Sequence, residues 1–357
     1  MKTIKIQKIP HSRINQVDFD NLSFGNFYTD HMFSCTYKEG EWQEGIVKPF
    51  EDIKLSPTSS VFHYGQAIFE GMKAYKNKKG EVFLFRPEEN LKRFNKSAIR
   101  LNMPTISEDI FIEGLKKLID VDREWIPKEY GKSLYIRPFM IATSTFLKAQ
   151  SSYDFLFMIV CSPAGHYFDK PIRVKVECEY LRAHKGGVGF AKTAGNYAAA
   201  FYPTKLAQKE GYDQVLWMDA SGCFIEESGT MNLFFYIDDY LITPEITDTI
   251  LSGITRSSLI DLIKKEKAIL GLKDIKEQKV SIKEITDAFK GNKIKEAFGA
   301  GTAAITNSIE SISYKGENFS LPIIKKEEER MAFKLKNRLL DIQYGCVEDN
   351  FGWRLKV

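Results

Sequence analysis

No stretch of the 357 residues stays apolar long enough to cross a bilayer. The opening MKTIKIQKIPHSRINQ alternates polar and apolar residues and has no continuous apolar centre of the kind a secretory leader needs. A cytoplasmic protein without a membrane partner is expected. Cysteine is scarce: Cys35, Cys161, Cys178, Cys223 and Cys346 are widely spaced, odd in number and form no CxxC pair. That pattern speaks against a disulfide framework or a structural zinc site and for reduced thiols. The five histidines never stand at HxxxH spacing, which argues against a histidine-built metal site. Charge of one sign is nowhere concentrated. The net charge is +4, and lysines alternate with glutamates in runs such as KNKKGE and IKKEEER. This is a solvated mixed surface, whereas a nucleic-acid stripe needs clustered cations with exposed aromatics. No internal repeat or low-complexity tract is present.

What is there is the composition of a compact globular chain, 43% hydrophobic, 13% aromatic and 27% charged. Its length exceeds one typical core, so two domains are expected. In the first half, HMFSCTYKEGEWQEGIVKPF and MKAYKNKKGEVFLFRP read as hairpins turning near Gly40 and near Lys79 and Gly80. PEENLKRFNKSAIRL and SEDIFIEGLKKLIDVDREW carry apolar residues at three and four spacing and read as amphipathic helices. Strands follow in SLYIRPFMIA and DFLFMIVCS. Pro, Gly and Asp accumulate in SPAGHYFDKP, so the connection is placed there: residues 1–162 form the first domain, 163–171 the interdomain loop and 172–357 the second domain. The second half begins with an alternating strand, IRVKVECEYLRA. A helix is expected from about Asn196 to Lys209, then a meander from Tyr212 to Pro244 and a helix opened by Thr255. EAFGAGTAAI reads as a strand running into a Gly-rich turn, and KKEEERMAFKLKNRLLDIQYG as a closing helix.

One residue breaks its surroundings. Between Gly186 and Thr204, Lys192 is the single ionisable Asp, Glu, Lys, Arg or His. An amine in a dry setting is disfavoured in its charged form, which frees its lone pair to attack a carbonyl and make a Schiff base. The bland reading is a lysine that snorkels from a partly buried loop to solvent. A degenerate phosphate loop is a further alternative, from a different functional class. It fails where the glycine before the lysine is Ala191. A noncatalytic interaction protein is the least specific reading.

Tyr197, near the start of the next helix, could turn its hydroxyl back toward the ligand of Lys192, although a buried tyrosine is equally served by packing. Glu227 ends the strand CFIEE before Ser228 and Gly229. Its neighbour Glu226 points to the other face of an extended chain, and one of the pair is expected to be solvated. Thr255, behind Gly253, stands at a helix N-terminus, where free amides and the dipole favour phosphate. Thr302 in GAGTAA adds a hydroxyl beside Gly299 and Gly301. Together with Lys192 these describe a cofactor with a carbonyl at one end and a phosphate at the other.

The motifs FAKTAGNYAAAF, IEESGTMNLFF, LSGITRSSL, FGAGTAAI, HYGQAIFEGMKAY, FRPEENLKRF and SLYIRP resemble those of the branched-chain amino acid aminotransferases, which are class IV (fold-type IV) pyridoxal phosphate enzymes. The likeness runs from about Tyr28 to the C-terminal helix. It implies a two-domain fold of mixed α+β and α/β type, similar to D-amino acid aminotransferase, with a smaller N-terminal α/β domain and a larger C-terminal pseudo-barrel domain. It also implies transfer of an amino group between leucine, isoleucine or valine and 2-oxoglutarate through a Schiff base of pyridoxal 5'-phosphate on Lys192. By the same resemblance Glu227 pairs with the pyridine nitrogen and Tyr197 bonds the phenolic oxygen. Arg93, Ile254, Thr255 and Thr302 contact the phosphate. Tyr135 and Arg137, two apart on one strand face, match a YxR pair at the substrate pocket. Tyr64, Phe69 and Tyr167 resemble its aromatic walls, and Thr230 and Ala303 lie near the substrate carboxylate. For each aromatic, core packing is the bland alternative. D-amino acid aminotransferase and aminodeoxychorismate lyase share the implied fold, but FEGMKAY and YIRP favour the branched-chain group. Some animal members carry CxxC after the GTA turn, where this chain has Ala304 and Asn307, so a thiol switch of that type is not expected. A homodimer is implied by the family.

Overall fold

The computed structural model describes residues 3–165 and 170–357. They form two compact units, the first made of residues 3–165, Ala191–Gly195 and Asp341–Val357, the second of residues 170–190 and Asn196–Leu340.

The first unit is built on a ten-stranded sheet in which Lys5–Ile6, Ile46–Pro49, His31–Lys38, Phe155–Ala164, Ser133–Ala142, Met72–Lys76, Val82–Phe85 and Arg354–Lys356 lie side by side. All these neighbours run antiparallel except Lys5–Ile6 beside Ile46–Pro49. Strand Ser133–Ala142 shows how the sequence sorts its faces. Leu134, Ile136, Met140 and Ala142 are buried in the core, and the intervening Tyr135 and Arg137 face the other way and are only half-buried. Helices Pro87–Arg100 and Glu108–Val121 cover the core face, with Phe94, Phe111 and Phe157 in a mutual ring cluster at 5.4–5.7 Å between centroids.

The second unit holds a closed barrel. Met231–Ile237 pairs with Ile294–Gly301, followed by Ile305–Tyr314, Ile172–Val176, Gln214–Met218 and Phe224–Ser228, which pairs back onto Met231–Ile237. Closure removes the open edges a sheet of this size would present. The unbroken apolar run in Gln214–Met218 has a structural reason. Leu216 and Met218 join the barrel core, while Val215 and Trp217 pack on Ala207 of helix Ala194–Lys209. Helix Ile254–Leu270 buries Leu259, Leu262 and Ile263, and Ile282–Lys290 opens with a reciprocal cap between Ser281 and Glu284.

Ala191–Gly195 and Asp341–Val357 group with the first unit. The strand expected over IRVKVECEYLRA stops at Val176, because the Glu177 carboxylate accepts the N–H groups of Glu179 and Tyr180 and turns the chain. Part of the expected interdomain loop, residues 166–169, lies outside the described residues.

Candidate active site

In the first unit Lys192 is fixed by its backbone. Its N–H donates to Ser97 Oγ at 2.8 Å and its carbonyl accepts from Phe69 N–H at 3.1 Å, so the residue is held between strand Ala67–Phe69 and helix Pro87–Arg100. Thr193 forms a bridge with Ile68. The Lys192 Nζ lies 4.9 Å from the centroid of the Phe69 ring.

The apolar sequence around Lys192 does not make its spatial surroundings apolar. Glu70, fully buried, stands beside it. Burial would push the Glu70 carboxyl up, but the Arg93 guanidinium outweighs it, and together with Lys192 and Asn90 holds the acid below the ordinary glutamate range. Arg93 meets Glu70 through two parallel bonds, Nε to Oε1 at 2.7 Å and Nη2 to Oε2 at 2.8 Å. Asn90 Nδ2 adds a third bond to Oε2 at 2.7 Å. Glu70 was not singled out from the sequence. Its signal was its place in the quoted FEGMKAY, one residue from Phe69.

Tyr135 and Arg137 share a strand face as expected, and Arg137 Nη2 donates to Tyr135 Oη at 3.0 Å. The Arg137 guanidinium lies 4.7 Å from the Phe69 ring centroid, and its Nε is buried without a hydrogen-bond partner. A side chain on Gly71 would collide with the Tyr135 hydroxyl, so glycine there keeps room for the pair. Tyr64 is exposed and donates its hydroxyl to the Leu147 carbonyl. Tyr167 lies outside the described residues.

In the second unit, Glu227 and Glu226 take opposite faces of strand Phe224–Ser228, but neither is solvated: they are 2% and 5% exposed. The expectation that one would face solvent is corrected, because the loop Thr247–Leu251 supplies donors to both. Leu251 N–H donates to Glu227 Oε1 at 2.7 Å and the Thr249 hydroxyl donates to Glu226 Oε1. Burial raises the Glu226 carboxyl above its ordinary range, opposed in part by the Thr249 bond and the Arg182 charge. The other oxygen of Glu227 lies 2.9 Å from Arg182 Nε. Arg182, within YLRA, was not singled out from the sequence, since nothing in an alternating run marks it.

Helix Ile254–Leu270 begins after Gly253, which has no side chain to cap it. First-turn amides at Ile254 and Thr255 therefore have no capping side chain, and a helix N-terminus of this kind favours an anion. A side chain at Gly253 would strike Asn232 Oδ1, while Asn232 Nδ2 donates to the Leu251 carbonyl at 3.0 Å. Thr302 and Ala303 occupy the turn between Ile294–Gly301 and Ile305–Tyr314, Thr230 is exposed before Met231–Ile237, and Tyr197 is half-buried on Ala194–Lys209. No group of His, Cys, Asp and Glu suited to a metal ion occurs among the described residues.

Residues 67–312 match the family described as Amino-transferase class IV, and the chain belongs to that class. It is 43% identical over 346 residues to the branched-chain-amino-acid transaminase 1 of Bacillus subtilis (strain 168), an alignment covering 95% of each protein. Within the class, the chain thus falls in the branched-chain amino acid aminotransferase family. The branched-chain amino acid aminotransferase of Escherichia coli shares the fold at a TM-score of 0.69 and 26% identity, over 91% of this chain and 98% of that one. The branched-chain amino acid aminotransferase of Thermobaculum terrenum, solved in its PLP-form, has the same fold at a TM-score of 0.73 and 23% identity, over 92% of this chain and 98% of that one.

Proposed function

We propose that the chain is a branched-chain amino acid aminotransferase that moves an amino group between L-leucine, L-isoleucine or L-valine and 2-oxoglutarate with pyridoxal 5'-phosphate. The observation that carries this reading is the near full-length match at 43% identity to a transaminase of that name. The donor set fits the cofactor. The first unit offers a positioned amine, Lys192. The second offers a buried carboxylate, Glu227, and an uncapped helix end at Ile254 and Thr255. When bound, the cofactor supplies an aldehyde for amine exchange and a ring that accepts the electrons left when the substrate Cα loses its proton.

Lys192 would hold the cofactor's aldehyde, and its amine, once displaced, would carry the proton to and from the substrate Cα. Glu227 would face the ring nitrogen and keep it protonated, and Tyr197 would bond the phenolic oxygen. Thr255, the Ile254 amide and Thr302 hold the phosphate with Arg93, whose guanidinium Glu70 orients. Arg137 and Tyr135 receive the second carboxylate of glutamate. The buried, unpartnered Nε of Arg137 supports this, because a buried donor without an acceptor is costly until an anion arrives. Tyr64 and Phe69 would flank the branched side chain, and Thr230 and Ala303 the α-carboxylate. A homodimer and a cytoplasmic location belong to the same proposal, and light scattering after size exclusion reads the first.

The test is the visible spectrum of the purified, cofactor-loaded chain. L-leucine and L-glutamate should each bleach the band that borohydride fixes covalently, and D-alanine should not. Lys192→Ala should retain no borohydride-fixed cofactor. No spectral change with either L-amino acid would overturn the reading.

A further inference from the structure

Arg182 is buried, its side chain 8% exposed, and every part of its guanidinium is engaged. The Nε faces Glu227 Oε2 at 2.9 Å, Nη1 donates to the Thr249 carbonyl at 2.6 Å, and Nη2 donates to the Gly189 carbonyl at 3.2 Å. One side chain thus ties three stretches together: strand Phe224–Ser228, the loop that also donates Leu251 N–H to Glu227, and the Gly-rich segment three residues before Lys192 in the chain. A planar fork with several donors makes such a junction, and a single ammonium cannot reproduce it.

We propose that Arg182 is the positioning residue of Glu227, fixing the carboxylate's direction and placing a positive charge behind it. The inference rests on the reading that Glu227 serves the pyridine nitrogen of the cofactor. A carboxylate free to rotate would present its oxygens at variable angles. Here Leu251 N–H and Arg182 Nε each hold one oxygen, and a carboxylate oxygen has lone pairs for more than one donor. The charge has a second effect. A cation at 2.9 Å gives the buried carboxylate a fixed counter-ion on the oxygen that Leu251 does not hold. Glu226, on the opposite face of the same strand, also feels the Arg182 charge, as well as those of Glu227 and Asp219. The guanidinium therefore serves two adjacent buried carboxylates, of which only Glu227 has been given a role in the reaction.

The experiment is a double-mutant cycle on Arg182→Met and Glu227→Gln, with two readouts: the dissociation constant of pyridoxal phosphate for the apoprotein, followed by absorbance, and the pH profile of kcat. Arg182→Met should weaken cofactor binding and lower kcat by about tenfold or more, the effect of losing a hydrogen bond to a charged group. The profile should shift, and KM for leucine should change little. In the Glu227→Gln background the same change should have almost no further effect. Arg182→Lys keeps the charge and loses the fork, and should fall between. It also carries the cycle if Arg182→Met does not fold. Additive effects of the two substitutions, or an Arg182→Met enzyme with unchanged affinity, kcat and pH profile, would overturn the proposal. A wild-type protein that takes up no pyridoxal phosphate would sink the parent reading, a result distinct from either of these.

Discussion

At the scale of the residue, two guanidiniums show how burial separates roles. Arg137 carries a buried Nε with no acceptor and a second nitrogen committed to Tyr135. Arg137→Met should therefore raise KM for 2-oxoglutarate and glutamate by about tenfold or more and leave KM for leucine within a few fold, since only the dicarboxylic substrates bring a second anion. Steady-state kinetics with both pairs checks it, and an equal loss for leucine would assign Arg137 to general packing. Arg93, by contrast, is oriented by its buried ion pair with Glu70. Because the folded state holds the Glu70 carboxyl below its ordinary value, the stability of this pair is in place above about pH 4.3, the usual glutamate pKa. It is lost as pH falls through the lower folded value. Glu70→Gln leaves Arg93 buried without its counter-ion and should cost about 3–5 kcal/mol at pH 7. The gap to wild type should narrow below pH ~4 in urea unfolding. An unchanging gap between pH 7 and pH 3.5 would show that the charge on Glu70 contributes nothing.

At the scale of the element, periodicity carried most of the reading. The amphipathic helices and the alternating strand Ser133–Ala142 were legible because one face of each is buried in a single core. Strand Asp274–Gln278 and helix Ile282–Lys290 were not read, and Arg354–Lys356 is too short to carry a period. The glycine in the middle of helix Glu108–Val121 was also silent. Propensity alone predicts that Gly114→Ala stabilises a helix by about 1 kcal/mol. The structure reverses that sign, since a Cβ there would lie 2.7 Å from Cζ of the fully buried Phe33 ring. Overpacking of this kind should cost about 1–3 kcal/mol net, read as a lower denaturation midpoint with unchanged m-value. Phe33→Leu in the same background should recover part of the loss if the ring is the obstacle. On helix Ile282–Lys290, Ser281→Ala removes one half of the reciprocal cap and should cost about 1 kcal/mol.

At the scale of the whole molecule, the chain passes between its two units four times. That is why the site was only half legible. Local motifs gave Lys192 and Glu227 by their surroundings in sequence, but Glu70 lies more than a hundred residues from Lys192 and Arg182 more than forty from Glu227, and only folding makes them neighbours. The same weaving means the first unit is completed by strand Arg354–Lys356. Strand Arg354–Lys356 pairs antiparallel with Val82–Phe85, Arg86 N–H donates to the Trp353 carbonyl at 2.8 Å, and Val357 N–H to the Val82 carbonyl at 3.0 Å. The Trp353 ring is 7% exposed and meets Phe85 edge-on at 5.6 Å. A chain ending at Gly352 should therefore lose about 3–5 kcal/mol, the scale of removing a buried tryptophan side chain, and should expose Val82–Phe85 as an open edge prone to pairing with other copies. Thermal unfolding followed by circular dichroism together with light scattering reads both effects: a lower melting temperature and earlier aggregation. Extending the truncated chain again to Trp353 alone should restore the ring packing but not the edge, separating the two. A truncated chain that melts and scatters like wild type would show that the first unit closes without its final strand.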